Sequence, residues 1–277
     1  MTRRILLGLS TIFLTLFVYE NVVRTLLQPW ITLPDILGGT QTQTLILVLF
    51  SLTHALYALG WRHALVFFAT SAVISWAYEQ VGVATGAIYG VYHYTDYLGP
   101  KLGHVPLLIP LAWFMMIYPS YIIANLIADD RPIGSRGSLK HIVWLAFLSA
   151  AVMTAWDLII DPILSGPNVQ AWIWEQGGPY FGIPIQNYIG WMLTTFTVYL
   201  VYRLFEHWAD PRPMGSLSTA IAAMPLVAYG SVLISNSLDG PEALRVIGPF
   251  VMGLALLAAA TRLRIYHRQG RSASISS

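Results

Sequence analysis

Three carboxyl groups stand near the ends of long apolar segments, and their spacing suggests acid–base chemistry. Asp157 and Asp161 lie four residues apart, so on a helix both carboxyls fall on one face. Two carboxylates that close together would share a proton or bind a cation. Glu79 follows Trp76 by three residues, which on a helix gives the carboxyl an aromatic neighbour. Because an apolar setting disfavours the charged form, such a carboxyl can act as an acid near neutral pH.

Ionisable residues within or just below a bilayer are costly and usually face a cavity or a partner. Glu79, Asp157 and Asp161 are therefore the candidate catalytic residues. The alternative for Glu79 and for Asp161 is a solvated residue at the end of a helix. A pair of acids on one helix face is harder to explain in that way.

Aromatic and polar residues near these acids form a second group of candidates. The connection after Glu79 contains His93 and Asp96, which could relay protons, although its tyrosines are also typical of membrane interfaces. Asn187 and Trp191 lie four residues apart at the start of a later helix. The amide could orient a water and the indole face could stabilise a cation, with helix capping by the amide as the alternative. The candidate substrate-binding residues are Trp76, Tyr89, Tyr92, His93, Asp96, Trp113, Asn187 and Trp191.

The sequence lacks the patterns that hold metals, nucleotides or nucleic acids. It has no cysteine, which excludes disulfides and thiolate metal sites. It has no paired-histidine cluster of the kind found in membrane di-iron enzymes, no phosphate-binding glycine loop and no dinucleotide fingerprint. The net charge of +2 is too small to suggest nucleic acid. We therefore predict no metal, no cofactor and no nucleic-acid partner.

The elements that must position these residues are transmembrane helices. Apolar residues make up 56% of the chain and charged residues 10%, whereas soluble domains average about 25% charged residues. The apolar segments are long enough to cross about 30 Å of hydrocarbon. The first resembles a signal peptide but lacks a small-residue cleavage site, so we interpret it as a retained helix. The predicted helices are 5–26, 43–60, 64–82, 105–127, 139–161, 187–205, 216–236 and 245–263.

The distribution of basic residues orients this bundle. With the N-terminus in the cytoplasm, twelve of the fifteen Arg and Lys residues fall on the inner side, and Arg24, Lys101 and Arg245 fall on the outer side. This bias agrees with the positive-inside rule. We therefore predict an all-α polytopic bundle of about eight transmembrane helices in the cell membrane, with both termini cytoplasmic. The three candidate catalytic acids fall on the outer side.

Two long outer connections, residues 83–104 and 162–186, resemble each other. Each contains a Gly-x-x-aromatic-Gly motif, and each is followed by a tryptophan, Trp113 or Trp191, seven residues after a proline. Parallel repeats in membrane proteins often place a site between them. The prediction is a single membrane domain over residues 1–277, with a parallel internal repeat of 64–127 and 139–205.

Taken together, these segments resemble the carotenoid biosynthesis hydratase family. The resemblance covers about residues 70–195, and the flanking helices match mainly in hydropathy. The combination of motifs is specific. They are Trp76-Ala-Tyr-Glu79, Tyr89-Gly90, Tyr92-His93-Tyr94, Val105-Pro106, Pro110-Leu-Ala-Trp113, Ala155-Trp156-Asp157, Asp161-Pro162, Trp172, Trp174, Ile183-Pro184, Asn187 and Gly190-Trp191.

The resemblance implies addition of water across the terminal carbon–carbon double bond of an acyclic carotenoid end, which gives a tertiary alcohol without a redox cofactor or a metal. The implied partners are a lipophilic carotenoid, water and membrane lipid, and other carotenoid enzymes could associate. This chemistry needs a poorly solvated acid, a group that activates water and aromatic faces for a carbocation. Glu79 or Asp157 would donate the proton, and the other carboxyl with Asp161 would activate water. Trp76, Tyr89, Trp113 and Trp191 would line the cation site.

Three other functions stay open at this point. A carotenoid cyclase would protonate the same alkene but let the chain capture the cation. A membrane prenyltransferase could use Asp157 and Asp161 as half of a diphosphate–magnesium site, but Glu79 has no second acid one turn away. A proton-coupled transporter or carotenoid-binding protein could use the outer acids as a relay, although acids are sparse in the cytoplasmic half.

Overall fold

The computed structural model describes residues 2–134, 137–209 and 217–275, with side chains to residue 268. Eight long helices make up most of these ranges. Helix α1 (Arg3–Leu27) contains a π-helical turn, and α8 runs from Leu244 to Ile275 with a second one. The others are α2 (Thr40–Leu59), α3 (Trp61–Thr85), α4 (Leu108–Asp129), α5 (Leu139–Leu164), α6 (Ile185–Trp208) and α7 (Thr219–Asp239).

Among the described residues, seven of these helices are long and apolar enough to cross a membrane. The remaining helix, α6, has 24 residues and is long enough, but it carries polar side chains such as Asn187, Thr194 and Arg203, all buried. A membrane helix can hold such groups when they face its neighbours rather than lipid. The predicted all-α polytopic membrane bundle is therefore confirmed. Its orientation in the membrane stays a prediction.

Helix α5 continues past the proline at which the sequence predicted its end. Pro162 has no N–H to bond the carbonyl four residues earlier. That carbonyl, on Leu158, instead accepts a hydrogen bond of 2.8 Å from the hydroxyl of Tyr180. Because the missing backbone bond is replaced, the helix reaches Leu164.

Helix α4 is the centre of the bundle. Its residues from Trp113 to Leu126 are all buried, and α2, α3, α5, α7 and α8 pack around it. A helix that is apolar on every side belongs inside a bundle. Beside it, the rings of Phe67 and Tyr202 stack with centroids 3.8 Å apart and join α3 to α6.

A fully buried cation, Arg203, ties three helices together. Its guanidinium donates to Asn125 of α4 at 2.9 Å and to Ser149 of α5 at 2.7 Å, and lies 4.6 Å from the centroid of the Tyr121 ring. A buried charge needs partners of this kind. These contacts fix α5 and α6 against α4. The candidate acids of α5 and the candidate amide of α6 lie toward the ends of these helices that are further from Arg203.

Both long connections form short strands, which the sequence analysis did not predict. Strand β1 (Tyr92–Tyr94) of the first connection pairs antiparallel with β4 (Trp172–Trp174) of the second. Within the first connection, β2 (Lys101–Leu102) pairs with β3 (Val105–Pro106). The β1–β4 pair joins the two connections at one end of the bundle, which we call the site end.

Candidate active site

Glu79 lies near the site end of α3 and is 4% exposed. The hydroxyls of Tyr92 and Tyr94 both donate to its Oε2, the latter at 2.9 Å. These donors stabilise negative charge at a buried position. Burial and the nearby Glu79 charge raise the pKa of Tyr92 and of Tyr94 well above the usual value, so both phenols remain donors.

Asp157 and Asp161 lie one turn apart toward the end of α5, and each is 1% exposed. The Nδ2 of Asn187, near the start of α6, donates to Asp157 Oδ2 at 2.9 Å and to Asp161 Oδ2 at 2.8 Å. The amide therefore bridges the two carboxyls, and its side chain does not cap the helix. Two carboxylates this close in a buried site do not both ionise readily, which favours a proton shared by the pair.

The two aspartates differ at their other oxygens. Asp161 Oδ1 accepts from the Trp172 indole at 2.8 Å and from the Trp174 indole at 3.4 Å. Asp157 Oδ1 is buried and has no hydrogen-bond partner among the described residues. Donors stabilise a carboxylate, and an unpartnered buried oxygen is costly to charge. The hydrogen bonds therefore favour the shared proton on Asp157.

A cavity of about 110 Å³ lies beside these carboxyls, with mainly apolar and aromatic walls. The rings of Trp113 and Trp191 stack with centroids 4.0 Å apart, and Trp156 meets Trp191 edge-on at 5.8 Å. Aromatic faces of this kind attract cations. An engineered cavity of about 150 Å³ holds benzene, so this cavity suits the end of a hydrocarbon chain rather than a whole long one.

Comparison with known proteins gives the family of this chain. Residues 40–259 match the family described as carotenoid biosynthesis protein. The chain belongs to this family. A bisanhydrobacterioruberin hydratase of Haloarcula japonica is 32% identical over 129 residues, which are 46% of this chain and 41% of that protein. The chain thus spans less than half the length of this curated relative. No solved structure matches the present chain.

The resemblance found from the motifs is therefore confirmed. The family match extends from about residues 70–195 into the flanking helices, where the sequence analysis found mainly hydropathy in common.

Most of the residues predicted for the site line the cavity. Tyr89 is held there by a hydrogen bond of 2.7 Å between its hydroxyl and that of Thr194 on α6. The predicted residues in the lining come from α3, α4, α5, α6 and the first connection, and the chemical role of each stays a prediction. The predicted residues in the lining are Glu79, Tyr89, Tyr92, Trp113, Asp157, Asp161, Asn187 and Trp191.

Three predicted residues, Trp76, His93 and Asp96, lie outside the cavity. The Trp76 indole donates to a backbone carbonyl of β2 at 3.4 Å on the exposed side of α3. His93 contacts the carboxyl of Glu175 at 2.5 Å rather than forming a relay with Asp96, whose side chain is fully exposed. Strand geometry explains why His93 lies outside the cavity. Alternate residues of β1 face opposite sides of the strand, and the two tyrosines of β1 face Glu79.

Sequence reasoning gave no site role to Tyr94, Trp156, Trp172 and Trp174, which also line the cavity. For three of them a signal existed, since paired aromatics two residues apart occur in both long connections. A period of two places both members on one face of a strand, but strands of three residues are too short to recognise from alternation. Among the described residues, no three His, Asp or Glu side chains cluster as metal ligands would.

Proposed function

We propose that this protein is a carotenoid hydratase, a hydro-lyase that adds water across the terminal double bond of an acyclic carotenoid end. One observation carries the proposal. Asp157, whose Oδ1 has no partner among the described residues, and Glu79, which accepts two tyrosine hydrogen bonds, line one cavity with stacked tryptophans. The family and the printed name of the relative support the same chemistry. With an end group in the cavity, the rest of a rod-shaped carotenoid would lie in lipid.

Asp157 donates the proton in this proposal. Its Oδ1, which has no partner among the described residues, would carry the proton toward the alkene. The O–H bond breaks, a C–H bond forms at the less substituted alkene carbon, and a tertiary carbocation is left on the neighbouring carbon. Asn187 donates to the other oxygen, Oδ2, at 2.9 Å, so the Asp157 carboxyl is held in one orientation.

Aromatic rings and carboxylates stabilise the cation. Trp113 and Trp191 offer π faces at the cavity, and a desolvated cation–π contact contributes about 2 kcal/mol or more. The negative charge of Glu79 and of Asp161 adds to this in a site of low dielectric. Asp161 transfers no proton itself. It acts as a positioning residue, because its indole donors keep it ionised and so keep the shared proton on Asp157.

Glu79 activates the water. Its carboxylate accepts a proton while the water oxygen forms the C–O bond, which leaves the tertiary alcohol and a neutral carboxyl. The proton then passes through water to the Asp157 carboxylate, and both groups regain their starting states. One water is consumed and no electrons are transferred, so this reaction requires no redox cofactor.

We further propose that residues 64–127 and 139–205 form a parallel internal repeat within one domain. Two features support this. The strands β1 and β4 begin seven and eight residues after the ends of α3 and α5, respectively, and pair antiparallel, although β1 follows the Gly-x-x-aromatic-Gly motif of its connection and β4 precedes it. Trp113 and Trp191, each seven residues after a proline, stack on each other. A two-fold axis between the repeats would pass through both contacts, and superposition of the two segments in an experimental structure would test it.

Pigment analysis tests the hydratase proposal. The chain would be expressed in a bacterium that accumulates lycopene or γ-carotene, and the extract resolved by chromatography with mass spectrometry. Hydration predicts a product heavier by one water. A product of unchanged mass that absorbs at shorter wavelength would indicate a cyclase instead, and an unaltered pigment that copurifies with the protein would indicate a binding protein. Fractionation of the same cells tests the proposed location in the cell membrane.

A further inference from the structure

The indole N–H of Trp156, at the cavity, has no acceptor among the described residues. Trp156 lines the cavity and is 5% exposed, and its Nε1 is buried without a hydrogen-bond partner among the described residues. By contrast, the neighbouring indoles of Trp172 and Trp174 both donate to Asp161 Oδ1. The N–H of Trp156 is therefore a polar group at the site that the mechanism above leaves without a role.

The missing partner of this N–H must be an acceptor, because indole can only donate. An unpaired donor in a buried site costs free energy, and such groups in a native protein call for a specific explanation. A carotenoid end is a hydrocarbon and brings no acceptor. The second reactant, water, brings an oxygen, and the product carries that oxygen as a hydroxyl.

We propose that Trp156 is a further catalytic residue, which binds the attacking water through its indole N–H. The inference rests on the proposed hydratase function. Trp156 precedes Asp157 in the chain and meets Trp191 edge-on, with ring centroids 5.8 Å apart, so it belongs to the same wall as the acid and the cation-stabilising rings. A water that accepts from Trp156 and donates to Glu79 keeps a lone pair for the carbocation.

The bound water decides what becomes of the carbocation. When water is held in place, the C–O bond forms and the alcohol results. Without it, the cation returns a proton to the Asp157 carboxylate and the alkene is regenerated. In D₂O the acid carries deuterium, so a C–D bond forms on protonation and a C–H bond can break on return. Recovered substrate then contains deuterium and is otherwise unchanged.

The experiment compares hydration with deuterium uptake in Trp156→Phe. The full chain in lipid vesicles would receive lycopene as the probe in D₂O, and mass spectrometry would follow both the hydrated product and deuterium in recovered lycopene. We expect hydration to fall about tenfold, while the ratio of deuterated substrate to hydrate rises by a similar factor. The matched control is Trp144→Phe, a position of the same helix that is 52% exposed and lies outside the cavity lining, which should change neither value.

Each outcome decides between the two levels of the proposal. If the wild type hydrates lycopene and Trp156→Phe does so at the same rate, the inference alone is overturned. The same holds if Trp156→Phe loses hydration and deuterium uptake in parallel while unfolding at the wild-type temperature. No hydration by the wild type from any acyclic carotenoid overturns the proposed function and the inference with it. If Trp156→Phe does not fold, an experimental density map decides: a water within hydrogen-bonding distance of Nε1 supports the inference, and a protein acceptor there overturns it.

Discussion

Replacement of Asp157 by asparagine is the sharpest test of the proposed roles. Asparagine has nearly the same shape and retains an oxygen that can accept from Asn187, but its amide N–H is too weak an acid to protonate an alkene. It also removes one of two neighbouring acids, so we expect no loss of stability. General acid catalysis contributes about 10²–10⁴-fold, and here protonation creates the cation. We therefore expect the rate to fall by about 10⁴-fold, or roughly 5 kcal/mol in the barrier.

The assay is the rate of lycopene hydration in vesicles, with thermal unfolding measured in parallel. Asp161→Asn is the matched control, because the same substitution is made one turn away at a group that donates no proton in the proposal. Its amide oxygen can still accept from Trp172, and the lost charge should slow the reaction by about 10- to 100-fold. If Asp157→Asn retained more than about a tenth of the rate, or if Asp161→Asn were the slower variant, Asp157 would not be the acid.

Three further variants test other parts of the structure. Tyr94→Phe removes one donor to Glu79, and since a hydrogen bond to a charged group contributes about 1.5–3 kcal/mol, hydration should slow by about 10- to 100-fold and the unfolding temperature should fall. Arg203→Met leaves buried polar partners unpaired and should lower the free energy of unfolding by about 2 kcal/mol in detergent; an unchanged value would contradict its structural role. Ala112→Trp fills the cavity and should abolish lycopene hydration, whereas a wild-type rate would mean that the substrate end binds elsewhere.

The sequence alone determined the class of molecule and the acids of the site. Apolar runs between charged loops specify transmembrane helices, because span length and hydropathy are local properties of the chain. The spacing of Asp157 and Asp161 placed both carboxyls on one face whatever the helix packs against, and the bridge from Asn187 shows that face turned inward. Pattern reasoning also found the aromatic connections, although not the strands that they form.

Only the tertiary structure decided which side chains meet those acids. Trp76 stands one turn before Glu79 and lies outside the cavity, whereas Tyr94, fifteen residues further along the chain, donates to the same carboxyl. Asp157 and Asp161 are identical in type, and they differ because two tryptophans from a connection fold over one of them and not the other. Spacing cannot reveal such contacts, because they depend on how helices and connections pack in three dimensions.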